Sequence, residues 1–463
     1  MSDLATLTIA KASALLARGE LKAIDITEAC LARIEKFDAR LNAFVTLTAD
    51  QARAAARQAD REIARGHRRG ALHGIPIGIK DIYETAGVRT AGNSHLLVDH
   101  VPNSDAETVV RLRAAGAVIL GKLATHEFAT GAITPDQPFP PARNPWNPEL
   151  QPGGSSSGSG TAVAAGFCAG AMGSDTSGSI RNPAGWCAVS GLKPTYGLLS
   201  RRGIFSLAPS FDTAGPMAWT AEDCALMLDV LAGHDPLDPA SARREPVAYA
   251  QTVHKPVTGL RIGLIRHWYA HADGATADIV RGVDEAVMVL RELGCILEEI
   301  IMPDLVDYQA CARIIIGAEA HAIHRRALNE HPEKFGYTTR RRLQLGAFLT
   351  AEQYVAATRF RRKLQIDTDT AMRDFDLVMT ANQYGPPDNF ENPPVFHFLD
   401  KPPLPNPFNV TGQPALTVCC GFDADGYPLA FQLAGRPFDD ATVLTAGAAY
   451  ERATPWREKR PSL

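Results

Sequence analysis

Cysteine is sparse and unpaired in this 463-residue sequence: the eight residues, at 30, 168, 187, 224, 295, 311, 419 and 420, form no CxxC pair. That spacing excludes a zinc knuckle or a dithiol redox motif, and fits reduced, buried thiols in a cytoplasmic protein. Long apolar runs are missing too. No stretch approaches the roughly eighteen apolar residues that span a bilayer, and the start, MSDLATLTIAKAS, predicts no signal peptide because no basic segment precedes an apolar one. Neither sign of charge dominates. A net charge of -4 offers no bulk attraction to nucleic acid or to an anionic membrane. HExxH, HxxEH and GxxxxGK[ST] are all absent, so neither a zincin helix nor a P-loop is indicated, and no metal or cofactor is expected.

What is present describes a globular protein. The hydrophobic share of 45% supplies a large core. The short basic clusters Arg340-Arg341-Arg342 and Arg361-Arg362-Lys363 read as solvated helix faces. Residues 1–70 read as helical, with Ile9, Ala12, Leu15 and Leu16 at helical spacing and a third run over Ala52–Ile63. GIPIGIKDI (Gly74–Ile82) is an Ile-rich run bounded by glycines and predicts a buried strand. Asp105 opens a helix with Val109, Val110 and Leu112 inward, and AVILGK follows as a strand. The same grammar recurs over Asp284–Ile301, as in a layered α/β fold. Residues 134–160 and Gly233–Val257 read as loops, 308–375 as largely helical, and PALTVCCGF and PLAFQLAG as strands before a helix from Asp439 to Arg452. Together these predict an α/β fold with a central mixed β-sheet flanked by helices. It forms one domain over 1–463: a helical part to about 70, a core over 74–220, and a variable part from 258 to the end.

The most informative segment is Gln151–Ala184, where two Gly/Ser clusters flank an Ala-rich run of helix length, Thr161–Met172. Small residues let that run sit close to other backbone, bringing two loops rich in hydroxyls and bare N–H groups together. Such loops cradle an anion, including the oxyanion of acyl transfer. Gly154–Gly158 also fits GxSxG, the nucleophile elbow of an α/β-hydrolase-type esterase, but PELQPG before it cannot be the buried strand that an elbow needs.

GIPIGIKD, PGGSSSGSG and GSDTSGSIRNPA taken together resemble the amidase signature family, and the likeness extends through Gly191–Ala218 and the C-terminal FNVTGQPALTV and PLAFQLAGRPFD. The resemblance implies a Ser-Ser-Lys triad that cleaves the C–N bond of a linear carboxamide and releases ammonia or an amine. Carried over position by position, the lysine is Lys80, the relay serine Ser155 and the nucleophile Ser179, with a cis peptide at Gly154–Ser155. It further implies an oxyanion hole from the N–H groups of Thr176, Ser177, Gly178 and Ser179; Ser177 departs from the glycine that many members carry. Lysine serves as base only when burial lowers its ordinary pKa of about 10.4, and Ile75, Ile77 and Ile79 provide such surroundings. Asp81, the next residue, should face away from Lys80.

Asp175 and Arg181 are expected to form an internal ion pair bracing the loop, and His126 and Glu127 to be structural. The acyl pocket is expected to include Phe128, Ala129, Thr130 and Gly131, with Phe348, Tyr384, Phe396 and Phe398. The expected partner is a small-molecule amide, with no nucleic acid or membrane, and a homodimer is left open. Two rivals stand beside this reading. The glutaminase half of a tRNA-dependent amidotransferase, its A-type component, shares the triad but spends glutamine to feed ammonia to B- and C-type partners, with ATP and tRNA. HFLDKPPLPNP before FNVTG does not match that component closely. A catalytically dead scaffold is disfavoured because all three triad positions carry the required residues.

Overall fold

A computed structural model describes residues 4–130, 134–245, 247–390 and 400–463. Strands from every part of the chain join one eleven-stranded sheet, in the order β1-β3-β2-β4-β6-β5-β10-β11-β9-β7-β8. They are β1 Phe44–Leu47, β2 Pro76–Lys80, β3 Val118–Leu123, β4 Gly170–Asp175, β5 Ser190–Lys193, β6 Thr213–Ala218, β7 Arg261–Leu264, β8 Ile296–Glu299, β9 Leu377–Ala381, β10 Ala415–Phe422 and β11 Pro428–Gly435. β2 runs parallel to both β3 and β4, whereas β4–β6 and β10–β11 are antiparallel, so the sheet is mixed as expected. Helices cover both faces and bury the central strands completely, which is why β2 reads as an unbroken apolar run rather than an alternating one. Among the described residues no helix is long and apolar enough to cross a membrane.

The structure departs from the sequence reading in several elements, and the expected loop Gly233–Val257 holds a short helix, Tyr249–Thr252. The first seventy residues are not all helix, because β1 pairs antiparallel with β3 at the sheet edge. The Ala-rich run is not one helix. The helix starts earlier, at Ser157, ends at Ala164, and is closed by Gly166 at φ 69°, after which β4 begins. Its first residues therefore belong to a helix rather than to the expected 134–160 loop. Val110 is 43% exposed, while Val109 and Leu112 point inward, since a helix of Glu107–Ala114 turns about 100° per residue.

Small residues in the helix Ser157–Ala164 have a steric cause. A Cβ on Gly158 would come within 2.4 Å of the Ala124 N and 2.5 Å of the Ala43 O. The helix thus lies directly on backbone and delivers Ser155 and Ser156, just before it, to the sheet. Because β2 and β4 are parallel neighbours, their carboxyl ends, Lys80 and Asp175, emerge on the same edge of the sheet, the position where open α/β sheets place their sites.

Candidate active site

Lys80 is fully buried at the end of β2. Its Nζ lies 2.7 Å from Ser155 Oγ, 3.0 Å from Ser156 Oγ and 2.8 Å from Ser174 Oγ. Asp81 turns the other way and pairs with Lys122 at 3.3 Å, and among the described residues no carboxylate lies within bonding distance of Lys80. Burial pushes the Lys80 ammonium down to about 7, against the more distant carboxylates of Asp175 and Asp212.

A proton count then assigns the direction of each bond. An ammonium donates to all three hydroxyls, whereas a neutral amine donates to two and accepts from one. The Ser156 hydroxyl donates to the Ser174 carbonyl at 3.2 Å and is committed. Of the other two, Ser155 also lines the cavity, so its O–H is the one placed to donate to the amine and to receive a proton from the cavity side. Sequence reasoning missed Ser156 and Ser174, which position the amine. Their only signal is that they stand in the two Ser/Gly clusters.

The Gly154–Ser155 peptide is cis, as the resemblance implies. Both glycines before Ser155 are squeezed: a Cβ on Gly153 would meet Asn182 Oδ1 at 2.5 Å, and one on Gly154 would meet His126 Cε1 at 2.1 Å. The Gly154 N–H donates to Asn182 Oδ1 at 3.1 Å, and the Ser156 N–H donates to the Ser179 carbonyl at 3.2 Å, which ties the two serine loops together.

Ser179 sits on the turn after β4, half-buried and facing the cavity. Asp175 organises this turn, accepting from the N–H of Gly178 at 2.7 Å and of Ile180 at 3.1 Å. It also pairs with Arg181 at 3.0 Å, both side chains being wholly buried. The expected internal ion pair is therefore present. Burial alone would raise the Asp175 carboxyl, but Arg181, with Lys193 and Asn409, holds it down to about 2. Breaking such a pair leaves an uncompensated buried charge, a cost of about 3–5 kcal/mol. Asp175→Ala is thus expected to lower the melting temperature and abolish activity together, measurable by thermal unfolding and turnover. A stable, active variant would remove Asp175 from the brace.

The oxyanion expectation needs one correction. The Gly178 N–H is spent on Asp175, which leaves Thr176, Ser177 and Ser179 as the candidate donors. Gly178 serves instead through its shape, at φ 116° with Pro405 Cβ 2.9 Å from where its own Cβ would be. The Ser177 hydroxyl donates to Asn406 Oδ1 at 2.8 Å, anchoring the turn to the C-terminal half.

These groups open onto a cavity of about 1470 Å³. Ala129, Thr130, Phe348 and Tyr384 line it as expected. Phe128 does not; it packs behind the wall in a second apolar cluster with Phe335 and Leu343, its ring centroid 4.6 Å from that of His324. Gly131, Phe396 and Phe398 lie outside the described residues. The basic clusters are not uniformly solvated either: Arg342 turns into the cavity, and Arg361 donates to the Val410 and Ser210 carbonyls. His126 lines the cavity with both ring nitrogens buried and without a hydrogen-bond partner among the described residues, and burial, then the charges of Lys80 and Arg342, push it down to about 3.

A buried amine near neutrality, the Ser155 hydroxyl between it and the cavity, and a second serine facing the same cavity form an arrangement suited to serine-type hydrolysis. The Amidase family profile matches residues 25–444, and the chain belongs to this family, the amidase signature enzymes, as an amidohydrolase. The A-type component of the glutamyl-tRNA(Gln) amidotransferase of Chloroflexus aurantiacus is 40% identical over the full length of both chains. Among solved structures, the peptide amidase of Stenotrophomonas maltophilia superposes with a TM-score of 0.86 at 30% identity, covering 98% of each chain. A chain from a vestigial protein complex that bears on the origins of an s-triazine catabolic enzyme gives 0.89 at 32%, covering 96% of this chain and 98% of its own. The A-type component of the Thermotoga maritima glutamyl-tRNA(Gln) amidotransferase gives 0.82 at 30%, covering 98% and 96%.

Proposed function

We propose that the protein is a self-sufficient amidase for small linear carboxamides, with Ser179 as nucleophile, Ser155 as relay and Lys80 as base. The observation that carries this reading is the Lys80 amine, buried among three hydroxyls at 2.7–3.0 Å and held near neutrality. Ser179 Oγ attacks the amide carbonyl while its proton passes to Ser155 and the Ser155 proton to Lys80. The N–H groups of Thr176, Ser177 and Ser179 meet the developing oxyanion; one such donor is typically worth about 10²–10³ in rate. As the tetrahedral intermediate collapses, the proton returns through Ser155 to the leaving nitrogen, and ammonia or an amine departs. Water then enters by the same relay and releases the acid. Fluorophosphonate labelling of Ser179, together with turnover of a panel of small amides and anilides, tests the reading. Absence of both would end it. Because no step calls on a metal, activity is expected to survive exhaustive treatment with EDTA or phenanthroline. A loss restored by added zinc would contradict the serine mechanism.

The second reading, the glutaminase half of a tRNA-dependent amidotransferase, is favoured by the full-length 40% identity to such a protein. The segment HFLDKPPLPNP before FNVTG, which does not match the A-type component closely, favours the first. Glutaminase activity with and without B- and C-type partners separates them: a requirement for the partners supports the second.

A further inference from the structure

Asp212 immediately precedes β6. The antiparallel register of β4 with β6, Asp175 opposite Thr213, sets it beside Thr176 just past the paired strands. Its carboxylate accepts from the Thr176 hydroxyl at 2.7 Å, the Ser206 hydroxyl at 2.7 Å, the Leu207 N–H at 2.9 Å and the Ala208 N–H at 3.0 Å. A backbone N–H can only donate, so this cradle suits the ionised carboxylate. Burial raises the carboxyl, and the bonds from Ser206, Thr176 and Ala208, then the charge of Arg201, oppose the rise. The Arg201 guanidinium is itself shared: it donates to the Asp212 main-chain carbonyl at 3.5 Å and pairs with Asp238 at 3.8 Å. Further out, Arg361 and Glu319 both bind Ser210, and Tyr196 donates to the Pro209 carbonyl.

Thr176 lines two cavities, the large one that Ser179 faces and a smaller one of about 240 Å³. Asp212 and Ser174 line the smaller one with it, and Ser174 Oγ is 2.8 Å from Lys80 Nζ. Lys80 faces the carboxylates of Asp175 and Asp212 and the neutral ring of His126. Asp175 is matched by Arg181 at 3.0 Å, whereas the four groups that donate to the Asp212 carboxylate are neutral. A carboxylate near a base favours the base's protonated form, the state Lys80 reaches as Ser179 attacks.

We propose that Asp212 is a positioning residue for hydrolysis, fixing Thr176 so that its N–H meets the developing oxyanion and favouring the arrival of the proton on Lys80. This rests on the amide-hydrolysis reading.

The probe is an alkyl fluorophosphonate, whose phosphorus bonds to Ser179 Oγ as fluoride leaves and the Ser179 proton passes through Ser155 to Lys80. Its second-order labelling rate is measured between about pH 5 and 9, where it should rise to a plateau. Asp212→Asn is expected to lower the plateau roughly ten- to a hundredfold, less than the outright loss of an oxyanion donor. It should also move the midpoint to lower pH by roughly half a unit, because Lys80 gives up its proton more readily without the charge. Thr176→Val, which loses the hydroxyl and keeps the carboxylate, should lower the plateau without moving the midpoint, and Thr176→Ser should recover most of that loss. A midpoint that Asp212→Asn leaves at the wild-type value overturns the proposal, as does a Thr176→Val rate equal to the wild type. Should Asp212→Asn fail to fold, equal rates for Thr176→Val and Thr176→Ser overturn it. A wild type that the probe does not label ends the amide-hydrolysis reading and this proposal with it, whereas a labelled wild type with unresponsive variants ends this proposal alone.

Discussion

Ser179→Ala is expected to lower turnover by about 10⁴–10⁶-fold while leaving the fold unchanged. The bonds that shape the turn run from the Gly178 and Ile180 N–H groups to Asp175 and from the Ser156 N–H to the Ser179 carbonyl; none uses the Ser179 hydroxyl. Melting temperature should therefore stay close to the wild type. With a slow ester or amide, intact-mass analysis of the wild-type protein should show an acyl adduct that peptide mapping assigns to Ser179. An adduct on Ser155 or Ser156 would reverse the roles of nucleophile and relay.

Replacing Lys80 should cost less than replacing Ser179, but still orders of magnitude. Lys80→Ala removes the base and is expected to lose about 10²–10⁴ in kcat/KM. Lys80→Arg should not recover it, because arginine keeps its proton and cannot accept the one passed on by Ser155. The pH profile carries the same argument. The neutral amine is the active form, and burial lowers its pKa to about 7. In the wild type, kcat/KM should rise about tenfold per pH unit below that value and level off above it. A fully active Lys80→Arg variant, or a flat profile between about pH 5 and 9, would show that positive charge matters rather than proton transfer.

Some of this was legible in the residues and some was not. β2 declared itself through Ile75, Ile77 and Ile79, since a strand buried on both faces has no polar alternation to obscure it. The positions of Lys80, Ser155 and Ser179 came from motif spacing and family resemblance, and the structure brings Lys80 and Ser155 into contact and sets Ser179 on the same cavity. β4 stayed hidden because GAMGSD has little strand propensity; it is a strand because β2 and β6 flank it. Nor could Arg342 be told from its neighbours. Three arginines in a row on a helix face three directions, and only the packing of that helix on Leu305–Glu330 decides which one turns inward. The Gly178 N–H was lost to Asp175 for a similar reason: a sequence shows which donors a loop owns, but not which one its neighbouring carboxylate takes.

The bracing of Arg181 has a consequence for how the protein is made. Its guanidinium donates to the Pro405 carbonyl, to Asn409 Oδ1 and to Gln432 Oε1, more than two hundred residues further along the chain. Synthesis on the ribosome runs from the amino end and lets early segments fold first. Lys80, Ser155 and Ser179 have therefore left the ribosome long before the residues that anchor Arg181. A chain that ends before Pro405 carries Lys80, Ser155, Ser179 and the Asp175–Arg181 pair but lacks the three acceptors that anchor Arg181 from the C-terminal half.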